Sequence, residues 1–138
     1  MIPAIKVKDY MQTSIASVSP DATLSQVLDA FMHNDSAALP VSNATGQLLG
    51  VITEQSVLER AMLASYHCDL NLQAMDIMVT PETNVSSETD ILMLATTLKH
   101  QPETTTFAVV DNGRVSGMIR RKDILKALAA GTAACTRH

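Results

Sequence analysis

The sequence has no tryptophan and only two tyrosines and two phenylalanines in 138 residues. So few rings leave little on which nucleic-acid bases could stack. It has two cysteines, Cys68 and Cys135, and no CxxC pair. That excludes a disulfide framework and suits a reducing, cytoplasmic setting. Positive charge is scarce: ten Lys and Arg stand against fourteen Asp and Glu, a net charge of −4. A globally basic nucleic-acid surface is therefore not expected. No apolar run reaches the length of a membrane span, and the opening MIPAIKVKDYM lacks a signal-like apolar core. The phosphate-loop pattern GxxxxGK[ST] and the dinucleotide pattern GxGxxG are both missing. His67 and Cys68 have no partner at metal-ligand spacing, so no metal site is expected. His33 and His100 fall at the ends of the first helices, where the helix dipole accounts for them. No Ser-His-Asp, Cys-His or paired-carboxylate arrangement can be placed. The expectation is a protein that is not an enzyme.

What the chain has in quantity is apolar residues, 46% of the whole, enough for a real core. Eight methionines are many for this size and read as adaptable core filler. The sequence also repeats itself at an offset of 67 positions. Asp9, Met11 and Thr13 fall on Asp76, Met78 and Thr80, and Val18-Ser19 on Val85-Ser86. Gly46, Gly50, Ile52 and Leu58 fall on Gly113, Gly117, Ile119 and Leu125. Cys68 and Cys135 share the offset, which reads as coincidence.

The hydrophobic pattern repeats as well. Leu24, Val27, Leu28, Phe31 and Met32 have helical spacing, and Ile91, Leu94, Ala95 and Leu98 copy them. Thr23 and Asp90 are the expected N-caps. Ala38-Leu39-Pro40-Val41 and Phe107-Ala108-Val109-Val110 read as matching strands. Polar turns follow, and Asp111-Asn112-Gly113 is a strong hairpin signal. The next strands are Leu48–Ile52 and Val115–Ile119. Closing helices carry the stripes Val57, Leu58, Ala61, Met62 and Ile124, Leu125, Leu128, Ala129. Each half thus reads as strand, helix, strand, strand, helix, preceded by a short amphipathic segment, VKDYM or AMDIM. The halves are assigned to residues 1–68 and 69–138, with a linker near 69–72. Neither half alone makes a comfortable core, so the two are expected to pack as one pseudo-two-fold α/β (α+β) unit.

These residues resemble the CBS domain family, named after cystathionine β-synthase. The resemblance lies in the DYM and DIM openers, the V-S-P-D-A-T-L entry to the first helix, the Leu39-Pro40-Val41 strand, and the L-G-V-I-T strand running into a helix. It spans about Lys6 to Ala129 and implies a tandem, stand-alone pair of repeats with a cleft between their sheets. It further implies a module that forms homodimers, binds an adenosine-type ligand (AMP, ADP, ATP, S-adenosylmethionine or NAD-like) and signals by conformational change to an effector protein. No tightly held cofactor is implied.

The family's nucleotide motif runs Gly, apolar, any residue, Thr or Ser, two more residues, then an acid. The hydroxyl and the backbone at a helix start hold phosphate, and the carboxylate accepts from the ribose diol. Each half departs from it. Gly50-Val51-Ile52-Thr53-Glu54-Gln55-Ser56 keeps the hydroxyl, Thr53, but has Ser56 for the acid. That substitution is expected to cost about 1–3 kcal/mol in ribose recognition. Gly117-Met118-Ile119-Arg120-Arg121-Lys122-Asp123 keeps the acid, Asp123, but has Arg120 at the hydroxyl position. An arginine there either holds an anion or fills the cleft. Half of the ten Lys and Arg, including Arg121, lie between Arg114 and Lys126. The resemblance therefore puts the ligand at Asp123, Arg120 and Arg121, with Gly117, Met118 and Ile119 lining the base, and Thr53 and Pro40 as further contacts. Helix capping alone would also explain Thr53 and Asp123. The alternative function is a degenerate pair kept as a ligand-free dimerisation or docking scaffold. An Arg120 folded into the cleft and paired with Asp123 would favour it.

Overall fold

A computed structural model describes residues 5–34, 37–67, 71–81, 83 and 85–135. The order is a 3-10 turn Val7–Asp9, then α1 Leu24–His33, β1 Ala38–Ser42, β2 Leu48–Thr53, α2 Glu54–His67, α3 Ala74–Ile77, α4 Ile91–His100, β3 Thr106–Asp111, β4 Arg114–Arg120 and α5 Arg121–Cys135. It is a mixed helix and sheet fold with two small antiparallel sheets, β1–β2 and β3–β4.

Both first helices start where the sequence places them. Thr23 accepts from the Gln26 N–H at 3.2 Å, and the Gln26 side chain accepts from the Thr23 N–H at 2.9 Å. Asp90 accepts from the Leu92 N–H at 2.9 Å. Met32 at the end of the α1 stripe is exposed, while each helix buries part of its expected stripe: Leu24 and Val27 on α1, Ile91 and Leu94 on α4. Such a buried side chain is worth about 1.5–3 kcal/mol. The second hairpin turns through Asn112 at φ 55° and Gly113 at φ 80°. Two left-handed residues in a row close a two-residue turn that matches strand twist.

Three expectations are corrected by the geometry. The opening strand of each half shrinks to a single parallel bridge, Val18 to Val41 and Val85 to Val109. Leu39 faces Ile52 and Phe107 faces Ile119, so Phe107 is the counterpart of Leu39, one residue off the run-to-run match. On α2 the buried residues are Val57 and Ala64, whereas Leu58 and Met62 are each 67% exposed. On α5 Ile124 and Ala127 are buried and Leu125 is exposed. A helix only 10–12 Å across can turn one edge of a broad apolar stripe inward, and the other edge stays wet.

The two repeats exchange their openings. The Val7 N–H donates to Thr89 O at 2.9 Å, and the Ile91 N–H to Ile5 O at 2.8 Å. Their counterparts run the other way: Ala74 N–H to Ala22 O at 2.8 Å, and Leu24 N–H to Leu72 O at 3.1 Å. Val7 is accordingly buried with Val85, Ile91, Phe107 and Ile119, while Ala74 and Ile77 are buried with Val27, Val41 and Ile52. The repeated aspartates cap the starts of these openers. The Gln73 N–H donates to Asp76 at 2.9 Å, and Asp9 takes the same place beside Lys6. A third small core of Ala38, Val51, Ala108 and Met118 joins the two sheets. At the hairpin ends the Leu48 N–H donates to Gly113 O and the Val115 N–H to Gly46 O, both at 3.0 Å.

Candidate functional site

The exchange brings a segment of one repeat against the motif strand of the other. Val79 bridges Val51, and at the equivalent place Gln12 bridges Met118. Two clefts related by the pseudo-two-fold result, one beside Thr53 and one beside Gln12 and Met118. They differ greatly in size.

The Thr53 cleft is a cavity of about 780 Å³. Val51, Thr53, Gln55 and Leu58 line it from the first repeat, and Val79, Thr80, Pro81, Thr104, Thr105, Thr106 and Ala108 from the second. It has an apolar back wall and a hydroxyl-rich mouth, of a size that holds a small ligand. Thr53 caps α2: its Oγ1 accepts from the Ser56 N–H at 3.0 Å, and Ser56 Oγ accepts from the Thr53 N–H at 3.0 Å. Ser56 Oγ also donates to Thr53 O at 3.0 Å. Ser56 thus serves the local turn, while Thr53 serves it from the cleft wall.

At Arg120 the same turn is closed with charge. Asp123 Oδ2 accepts from the Arg120 backbone N–H at 2.9 Å and from its Nε at 3.2 Å, and Oδ1 accepts from Nη2 at 3.2 Å. Asp123 is 4% exposed. The Gln12 side-chain carbonyl, turned toward the guanidinium, accepts from Nη2 at 2.5 Å and Nε at 3.3 Å. What remains of this second cleft is about 70 Å³, lined by Gln12, Ser14, Ile15, Pro40 and Met118 among others. That is too small for a nucleoside.

The expected site residues therefore part company. Asp123 and Arg120 bind each other. Pro40 and Met118 line the small remnant, Ile119 lies in the second-repeat core, and the Gly117 backbone lies against Gln12. Arg121 Nη2 donates to Thr104 O at 2.9 Å and also to Pro102 O. With Arg120 and Lys122 it lines a separate, open groove of about 620 Å³ that shares Ala37, Glu54, Leu58, Thr105 and Thr106 with the Thr53 cleft. Only Thr53 lines the large cleft. Sequence reasoning missed Val79, Thr80 and the Thr104-Thr105-Thr106 run. That run coincides with the extra residue before β3, the one local signal that the halves differ there. Among the described residues no group of His, Cys, Asp and Glu is arranged to hold a metal ion. Cys68 lies outside the described residues, as does the Cys135 side chain.

Solved structures share this architecture. A putative acetoin utilization protein, AcuB, from Vibrio cholerae superposes with a TM-score of 0.80 at 18% identity, covering 99% of this chain and 98% of that one. CBSX2 in complex with AMP matches with a TM-score of 0.76 at 20% identity, over 91% of this chain and 96% of its own. The CBS domain pair of protein MJ0100, in complex with 5′-methylthioadenosine and S-adenosyl-L-methionine, gives 0.74 at 18%, over 93% and 98%. The CBS domain matches this sequence twice, over residues 7–62 and 74–130, and the two matches fall on the two halves of the repeat: the chain belongs to the CBS domain family.

Proposed function

We propose that this chain is a regulatory module that binds one adenosine-type ligand, in the Thr53 cleft. The observation that carries the reading is the asymmetry of the pair, about 780 Å³ beside Thr53 against about 70 Å³ between Gln12 and Met118. Val51, Val79 and Ala108 offer an apolar slot for a base. The threonines around it offer donors and acceptors for a ribose. That related pairs are solved with AMP and with methylthioadenosine and S-adenosylmethionine supports the ligand class. The cleft walls come from both repeats, so a ligand that fits one relative setting better than another shifts the population toward it. The output then passes to a partner protein, and a homodimer of modules in the cytoplasm is the setting we infer. No described helix is long and apolar enough to cross a membrane.

A thermal-shift and calorimetric screen with AMP, ATP, S-adenosylmethionine, 5′-methylthioadenosine and NADH tests this. One ligand per chain is expected, with a Tm rise that grows with ligand concentration. Thr80→Trp changes an exposed residue at the cleft wall and should abolish the rise without unfolding the chain. No shift with any of these at millimolar concentration would sink the proposal. The Arg120–Asp123 pair favours a second reading, a ligand-free docking scaffold, and that outcome would leave it standing.

A further inference from the structure

The charged side chains that line the Thr53 cleft are Glu54, Glu59 and Glu103. Neither lysine nor arginine is among its described walls. Glu54 is the first residue of α2, so a carboxylate already occupies the helix start that would otherwise favour a phosphate. Glu59 sits one turn further on, with Gln55 Nε2 donating to it at 3.5 Å. Glu103 approaches from the loop after α4. The nearest cations are Arg120, Arg121 and Lys122 in the adjoining groove. Arg120 is held by Asp123, and Arg121 by the carbonyls of Pro102 and Thr104. A phosphate tail would have to pass Glu54, which lines both spaces, to reach Lys122.

From this lining we infer that the cleft selects adenosine-type ligands by the charge of the 5′ substituent. It accepts a neutral or cationic tail and rejects 5′-phosphates. The inference rests on the proposed site and narrows its ligand class. Three carboxylates around one cavity repel a dianion and attract a sulfonium or ammonium group. Across such distances each pair is worth a modest amount, but the three add with one sign.

Titration calorimetry at low ionic strength with 5′-methylthioadenosine, S-adenosylmethionine, AMP and ATP reads this out. The neutral and cationic ligands should bind about tenfold or more tightly than AMP, and ATP more weakly still. The gap between S-adenosylmethionine and AMP should shrink several-fold at about 0.5 M salt. All three glutamates are exposed, so the triple variant Glu54→Gln, Glu59→Gln, Glu103→Gln should fold and bring AMP close to 5′-methylthioadenosine. AMP or ATP binding as tightly as 5′-methylthioadenosine to the unmodified protein would overturn the selection and leave the site intact. Failure of all four to bind would overturn the site reading and the selection with it.

Discussion

Gly117 and Gly50 are equivalent in the repeat, yet alanine at the two should have unequal consequences. A Cβ on Gly117 would run into the Gln12 carbonyl oxygen, with the Gln12 carbonyl carbon and Met11 Sδ each 3.3 Å away. The obstacle is backbone, and that backbone is fixed by two hydrogen bonds. The Gln12 N–H donates to Met118 O at 2.8 Å, and the Met118 N–H to Gln12 O at 3.0 Å. Relieving the clash means giving up the bridge, at about 0.5–1.5 kcal/mol for each bond. Residual overpacking adds about 1–3 kcal/mol. Against this stands the smaller entropy of an alanine in the unfolded chain, about 0.4–1 kcal/mol in favour of folding. The net is a loss of about 1–5.5 kcal/mol, centred near 3. On Gly50 the same Cβ would meet the Met78 side chain, with Sδ at 2.8 Å, Cγ at 3.0 Å and Cβ at 3.1 Å. A thioether on three rotatable bonds can turn aside and only the Met78 Cβ must give, so Gly50→Ala should cost about 1 kcal/mol, the low end of an overpacking penalty. Urea melts of the two variants give the comparison directly. At roughly 3–4 °C per kcal/mol for this size, the central loss of about 3 kcal/mol should also make Gly117→Ala melt about 9–12 °C early. Equal stability of the two, with the Gln12 and Met118 amides still protected from hydrogen exchange in Gly117→Ala, would refute the reasoning.

The closed half-site and the acid limb of stability give two further tests. Arg120→Thr removes the guanidinium that Asp123 and Gln12 hold and puts a hydroxyl three residues before Asp123. It should lower stability by about 3–5 kcal/mol, since a buried carboxylate loses its partner, and raise calorimetric stoichiometry from one adenosine-type ligand per chain to two; unchanged stoichiometry would mean that Arg120 is not what closes the cleft. Asp111 accepts from Ser116 Oγ at 2.5 Å, from the Ser87 N–H at 3.1 Å and from Ser87 Oγ at 3.0 Å. The Ser116 hydroxyl first and then the Ser87 N–H hold its carboxyl below the ordinary value of 3.8; burial opposes them, and the Ser87 hydroxyl adds the smallest part. Its stabilising contribution is therefore present above the unfolded-state value and lost as pH falls through the folded one. Asp111→Asn should flatten the fall in Tm below about pH 4, and an acid limb identical to wild type would show that Asp111 does not shape it.

What the sequence made legible is what short stretches decide alone. Thr23 and Asp90 cap their helices because a side-chain oxygen two or three residues from a free N–H needs nothing else. Asn112 and Gly113 turn the hairpin because few residues accept that backbone. The exchange of openings was not legible. Two homologous sheets offer nearly identical edges, so the apolar pattern of VKDYM fits either core. Chain geometry beyond any local window decides between them, and it sends Val7 to the second repeat and Ala74 to the first.

The same exchange explains why the motifs alone point to the Asp123 side. A motif is read along the chain, but a cleft is closed by the segment lying across from it. Opposite Gly117–Arg120 lies Gln12, whose side chain meets the guanidinium that Asp123 already holds. Opposite Gly50–Thr53 lies Val79, and no long side chain at Thr53 reaches across. Asp123 looks like half of a ribose site in the sequence. In the fold it accepts from the backbone N–H three residues earlier, as Ser56 does in the other repeat. The acid and the serine are thus equivalent as turn-closing groups. The residue at the hydroxyl position differs between the half-sites: Thr53 lines the large cleft, whereas Arg120 is held by Asp123 and lines the adjoining groove. Arg120→Thr exchanges that residue and leaves Asp123 in place.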